Sequence, residues 1–138
     1  MMRQRAAIIL IEDQQIALIK RVRNGDTYYV IPGGGVESGE TPEEAAVREA
    51  REELGVHVEI GSYAFEVMGT GHEYYFMAFI TSGEFGKGNG KEFTAAEPDR
   101  GSYEAVWIPI GLLPSINVYP EQLVDAISQN SLNLKSPR

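Results

Sequence analysis

The sequence predicts an α/β domain with a mixed sheet, on three observations. Aliphatic, strand-like segments lie both before and after residue 42, a well-signalled helix separates them, and a second amphipathic helix comes near the end. At 138 residues the chain has the length of one domain. We expect that domain to span 1–130, with 131–138 as a frayed tail. Hydrophobic residues make up 43% and charged residues 23%, a balance that supports a buried core and excludes the composition of a disordered chain.

Residues 3–12 (RQRAAIILIE) and 15–21 (QIALIKR) flank the polar pair Asp13-Gln14 and read as a hairpin of two mostly buried strands. Tyr28-Tyr29-Val30-Ile31 reads as a third short strand. It is expected to end in a loop at Pro32-Gly33-Gly34-Gly35, because proline lacks a ladder donor and glycine reaches backbone angles closed to other residues. Thr41-Pro42-Glu43-Glu44 then opens a helix, with Thr41 as N-cap, Pro42 at the first helical position and Glu44 closing a capping box. Gly55 is its stop.

Strands are predicted over 56–69 and 73–81, joined through Gly69-Thr70-Gly71-His72, with Gly61-Ser62 as a break or bulge in the first. Residues 84–101 carry Gly86, Gly88, Gly90 and Gly101 without hydrophobic period and read as a long loop. A strand over 103–108 follows. Leu123, Val124 and Ile127 then form the apolar face of a final helix begun by Pro120.

Composition excludes several function classes. No cysteine is present, so disulfides, thiolate nucleophiles and zinc-thiolate sites are all out, and any metal must sit on oxygen or imidazole. The longest aliphatic run, Ala6 to Ile11, falls far short of the roughly 20 residues of a membrane span and stops at Glu12-Asp13. The expectation is a soluble, cytoplasmic protein with no membrane partner. Twelve basic against 20 acidic side chains give a net charge of −8, which disfavours a nucleic acid polymer as ligand. Much of the charge is concentrated: residues 37–53 hold seven glutamates and two arginines.

On a helical wheel of about 100° per residue, Val47, Ala50 and Leu54 form one stripe that should face the core. Glu49, Glu52 and Glu53 share a second arc, because spacings of three and four residues place side chains on one face. Like charges at these spacings destabilise a helix, and the carboxyl end of the macrodipole favours cations instead. Arg48 and Arg51 offset part of this. A divalent cation would offset more, since clustered carboxylates with water and phosphate oxygens are the usual surroundings of Mg²⁺ or Mn²⁺. Taken alone, the run REAREE also fits a solvated helix face, and the glycines alone fit an ordinary tight turn.

Together these residues resemble the complete Nudix box. Gly34, five residues, Glu40, seven residues, then Arg48-Glu49-Ala50-Arg51-Glu52-Glu53-Leu54-Gly55-Val56 fill every fixed position. The likeness extends over most of the chain, through the flanking strands and Trp107-Ile108-Pro109 to the terminal helix. Two positions depart from the pattern: Ala50 is smaller than the usual aliphatic residue, and Tyr29 stands where a tryptophan often precedes Pro-Gly-Gly.

The resemblance implies an α/β/α sandwich and a hydrolase that cleaves the diphosphate linkage of a nucleoside diphosphate derivative. It implies Glu49, Glu52 and Glu53 as metal ligands, the Gly33 carbonyl as a further ligand, and Arg48 as the cation orienting the glutamates. Glu40 becomes a structural or outer-sphere carboxylate, and Gly34 shapes the turn at the substrate.

The implied substrate is a (d)NTP, including oxidised purine nucleotides; nucleotide sugars and ADP-ribose are the alternatives. A non-catalytic nucleotide sensor is a further reading, disfavoured because Glu52 and Glu53 are both retained. An RNA-cap hydrolase is disfavoured by the acidic balance. Dimers are common in the family, so a homodimer is an open expectation.

Glu52 is the first choice for the proton acceptor, with Glu97 and Glu104 as weaker candidates ahead of Trp107. Among upstream cations, Lys20, Arg21 and Arg23 are candidates to meet phosphate, Arg21 and Arg23 being preferred. Tyr29 is taken as a substrate contact, and Tyr28, Phe76 and Phe79 as aromatic residues that either stack on a base or fill the core. His72, flanked by glycine in a turn, is read as simply exposed and left outside the site.

Overall fold

A computed structural model of the protein describes residues 3–87 and 102–128. The strands are β1 (Arg3–Glu12), β2 (Gln15–Arg23), β3 (Asp26–Val30), β4 (Gly33–Gly35), β5 (Val56–Met68), β6 (Gly71–Gly83), β7 (Ser102–Pro109) and β8 (Val118–Tyr119). The helices are α1 (Pro42–Leu54) and α2 (Glu121–Ser128), and a 3-10 turn spans Ile110–Ser115.

The strands form one mixed sheet in the order β5-β6-β1-β2-β3-β8, with β4 also paired to β1 and β7 to β2. Strand β1 runs parallel to β6 from Arg3↔Gly71 to Leu10↔Ala78. It meets β2 only at the root of their hairpin, Ile11↔Ile16 and Glu12↔Gln15. The two-residue turn there puts Asp13 at φ 52° and Gln14 at φ 65°, and Asn24-Gly25 repeats it between β2 and β3 at 53° and 83°. Such left-handed pairs match the twist of a hairpin.

The continuous aliphatic run of β1 follows from burial on both faces. Ala6, Ile8 and Leu10 join the cluster beneath α1, while Ala7, Ile9 and Ile11 join a second cluster that contains Leu123 of α2. Helices therefore cover both faces of the sheet, as the α/β/α expectation requires. Among the described residues no helix is long and apolar enough to cross a membrane.

The helix α1 starts and stops as its residues dictate. The Thr41 side chain accepts from the Glu44 N–H at 3.1 Å, and the Glu44 carboxylate accepts from the Thr41 N–H at 2.9 Å. Gly55 sits at φ 80°, and its N–H donates to the Arg51 carbonyl. Ala50 and Leu54 are buried and Val47 packs at the margin of the same cluster, with Ala45 and Ala46 adding a wider small-residue face.

Two expectations need correction. Gly33–Gly35 does not begin a loop: it forms β4, antiparallel to β1 through Ala7↔Gly33, Ala6↔Gly34 and Arg5↔Gly35. A side chain at Gly33 would place Cβ 2.5 Å from the Ala6 carbonyl oxygen, so the glycine serves close backbone approach here. His72 is not simply exposed either. Its Nε2 lies 2.7 Å from Glu66 Oε1, and its ring stacks on Tyr74 at 4.1 Å between centroids. The expected irregularity at Gly61-Ser62 is present as a register shift between Ile60 and Ser62.

Replacing the cap tests this account of α1. Thr41→Ala should lower stability by about 1 kcal/mol, with Thr41→Ser close to wild type, measured by urea denaturation; an Ala variant as stable as wild type would refute the cap's contribution.

Candidate functional site

A cavity of about 320 Å³ opens where β4 meets the carboxyl half of α1, and Glu49, Glu53, Gly33, Gly34, Arg5 and Arg21 all line it. Spacing of four residues puts Glu49 and Glu53 on one helical face. Both are buried, at 9% and 6% exposure, an unusual position for carboxylates and one that requires partners. Glu53 Oε1 accepts the Gly33 N–H at 2.6 Å. Gly34 is pressed against Glu49: a Cβ there would lie 2.3 Å from Glu49 Oε2.

Arg48 gathers the remaining charge. Its Nε and Nη2 donate to the two oxygens of Glu40 at 2.8 and 3.1 Å, the fork geometry that suits a guanidinium to a carboxylate. Nη2 also donates to the Gly35 carbonyl at 2.9 Å, and Nη1 reaches Glu49 Oε2 at 2.9 Å and both Glu52 oxygens at 3.3 Å. The Arg48 guanidinium holds the Glu40 carboxyl below its usual pKa, assisted by the Glu37 N–H. The hydrogen bond to Glu40 in turn raises the Arg48 pKa, with Glu49 adding to the effect.

The three carboxylates on the helical arc thus divide. Glu49 and Glu53 face the cavity, whereas Glu52 lies beside Arg48 with its side chain 36% exposed and is absent from the cavity lining. Among the described residues no three His, Asp or Glu side chains draw together as a ready-made metal cluster. The donor set nevertheless fits a hard divalent cation. Two buried carboxylates share one cavity with the backbone of Gly33 and Gly34, Glu52 lies on the same helix beside Arg48, and the missing Cβ of Gly34 lets the Glu49 carboxylate pack directly on the glycine strand.

The basic side of the cavity was only partly legible in the sequence. Arg21 lines it, lying over the Tyr103 ring at 4.0 Å and over Tyr28 at 5.4 Å, and its Nη2 donates to the Tyr103 hydroxyl. Its Nε is buried with no hydrogen-bond partner among the described residues. Arg5 and Tyr103 were missed. Arg5 sits at the polar edge of the β1 run opposite Gly35, and Tyr103 pairs with Arg21 across β2 and β7. Strand register brings both to the cavity, and the one-dimensional pattern carries no sign of it.

Other candidates lie elsewhere. Arg23 borders a separate depression with Tyr28 and Tyr119. Tyr29 packs at the margin of the second core cluster and Phe76 is buried in the first. Neither these nor Phe79 line the carboxylate cavity. Lys20 pairs in register with Glu104, which is exposed on β7 and also outside the lining. Glu97 lies outside the described residues.

The chain combines an α/β fold with a glycine strand pressed on an acidic helix and an arginine set among the glutamates of that helix. It belongs to the Nudix family: the NUDIX domain model matches residues 2–124. It is 51% identical over 49 residues to an ADP-ribose pyrophosphatase of Methanocaldococcus jannaschii, covering 35% of this chain and 29% of that protein. It is 46% identical over 55 residues to the "Putative 8-oxo-dGTP diphosphatase" of Bacillus subtilis, covering 40% and 36% respectively. The matches span about a third or less of the length of these curated relatives. Among solved structures, a NUDIX hydrolase from Nitrosomonas europaea superposes with a TM-score of 0.71 at 18% identity, covering 94% of this chain and 72% of that one.

Two measurements check the site's electrostatics. Glu40→Gln should destabilise the protein at neutral pH. Because the folded-state pKa of Glu40 is depressed from the ordinary 4.5, the difference from wild type should shrink as pH falls below that value; a difference unchanged down to pH 2 would contradict the Arg48 fork. Gly34→Ala should displace Glu49 and weaken Mg²⁺ or Mn²⁺ binding at least about 10-fold in calorimetry while circular dichroism stays that of the wild type. Unchanged affinity would remove Glu49 from the ligand set.

Proposed function

We propose that the chain is a Mg²⁺-dependent pyrophosphohydrolase that cleaves the diphosphate linkage of a nucleotide, with (d)NTPs and oxidised purine nucleotides as the favoured substrates. One observation carries this reading: the buried carboxylates Glu49 and Glu53 share a single cavity with two cations, Arg5 and Arg21, that form no salt bridge among the described residues. The acidic wall suits a divalent cation and the basic wall suits phosphate oxygens, so the pair matches a metal-bound diphosphate.

Glu49, Glu53, Glu52 and the Gly33 backbone would hold the cation, which supplies charge neutralisation at the phosphates and a more acidic bound water. Arg21, with an uncommitted Nε beside the cavity, would orient the diphosphate, and Arg5 would meet its other side. Arg48 holds Glu49 and Glu52 in place from behind the cavity. Glu52, half-exposed and on the same helix, is the assigned proton acceptor for the attacking water. The relatives named for ADP-ribose and for 8-oxo-dGTP support a nucleoside diphosphate core as the shared element of the substrate.

A panel of nucleoside triphosphates, 8-oxo-dGTP, ADP-ribose and nucleotide sugars, assayed with Mg²⁺ for diphosphate or monophosphate release, tests the activity. Inactivity of folded, metal-loaded protein across the panel would overturn it. Glu52→Gln should keep the fold and lower turnover at least about 100-fold; wild-type turnover would overturn the assignment of Glu52.

A further inference from the structure

We infer that Glu73, held by the Tyr75 hydroxyl in a second cavity, is the acceptor that reads two adjacent hydrogen-bond donors on the nucleoside part of the substrate. The inference rests on the hydrolase reading only for the identity of the ligand as a nucleotide.

The second cavity, of about 340 Å³, is lined by Glu73, Tyr75, Tyr119 and Pro120, and it shares Arg5, Val30 and Ile31 with the carboxylate cavity. The two are therefore neighbours across one wall, with Arg5 common to both. The first holds the charged groups suited to a diphosphate, so the group attached to that diphosphate has the second as its adjoining space. Two aromatic rings and a proline give the second the apolar walls of a site that accepts a ring, and such sites are oriented by few, well-placed polar groups.

Glu73 is that polar group, and its placement is built into the sheet. Arg5 and Glu73 are register partners across the parallel β1–β6 pair. Two residues further along β6, Tyr75 is buried at 6% exposure with its ring stacked on Phe65 at 4.8 Å. The Tyr75 hydroxyl donates to Glu73 Oε1 at 2.6 Å, the one hydrogen bond of that carboxylate among the described residues. Burial, and the neighbouring Glu73 charge, push the Tyr75 pKa up, so the phenol keeps its proton and remains the donor.

An ionised carboxylate only accepts. With one oxygen tied to Tyr75, the remaining lone pairs of Glu73 favour a ligand that offers two donors side by side. The N1–H and 2-amino group of a guanine-type base meet that requirement, and so does a ribose cis-diol. An adenine edge sets an acceptor beside its amino group and is repelled. Glu73 is thus a specificity-determining residue, and Tyr75 a positioning residue that acts through it.

The test reads binding by the full chain in Mg²⁺, with GMP, dGMP, AMP and dAMP as probes, followed by backbone amide shifts and Kd. Guanine recognition predicts that GMP and dGMP bind at least about 10-fold tighter than their adenine counterparts. Diol recognition predicts the same margin for GMP and AMP over the deoxy forms. Either preference should be abolished in Glu73→Gln, with wild-type shifts centred on Glu73, Tyr75 and Tyr119. Tyr75→Phe should reduce the preference ratio, whereas a merely structural role would weaken all four ligands equally.

Equal binding of the four by wild type, an unchanged ratio in Glu73→Gln, or no binding at all would overturn the inference. Turnover is measured separately. A protein that shows the preference but releases no product keeps this inference and loses the hydrolase reading.

Discussion

The Arg48 guanidinium is the interaction on which the site depends. A helix carrying Glu49, Glu52 and Glu53 near its carboxyl end opposes its own macrodipole and sets like charges together. Arg48 relieves this by contacting Glu49 and Glu52 from one nitrogen while its other two engage Glu40 and the Gly35 carbonyl. Five donors in a rigid plane serve the loop, the glycine strand and the helix at once, a task for which a lysine ammonium has no matching geometry. The same contacts bind β4 to α1, so the electrostatic solution and the packing solution are one arrangement.

The glycines complete that arrangement from the other side. Cβ atoms at Gly33 and Gly34 would strike the Ala6 carbonyl and the Glu49 carboxylate respectively. Glycine is needed at these two positions because the strand approaches the β1 backbone at one and the Glu49 carboxylate at the other more closely than a Cβ allows. The small face of α1, Ala45, Ala46 and Ala50, brings the helix close enough for Glu53 to take the Gly33 N–H. The buried carboxylates are therefore held by backbone and guanidinium donors, and they face a cavity whose lining also includes Arg5 and Arg21.

Much of this was legible in the sequence because it is local. The capping box at Thr41-Glu44, the Gly55 stop, the hairpin at Asp13-Gln14 and the bulge near Gly61 all arise from chemistry within a few residues. The carboxylate arc follows from helical period alone. The division of that arc does not. Glu53 and Glu49 turn inward and Glu52 lies with Arg48, because β4 and the cavity lie on one side of the helix only. Tyr29, expected from the sequence as a substrate contact, packs at the margin of the second core cluster, where it is the register partner of Val118 on β8.

By itself the sequence determined the family, the helix with its caps, and the grouping of Arg48, Glu49, Glu52 and Glu53, since all of these are written in the one stretch from Gly34 to Val56. The tertiary structure alone decided which groups face one another across the sheet. It turned three glycines into a strand, brought Arg5 and Tyr103 to the carboxylates, and put Glu73 and Tyr75 in the neighbouring cavity. The physical reason is register. Arg5 and Glu73 stand 68 positions apart in the chain and become partners through the parallel pairing of β1 with β6, a contact that no local preference encodes.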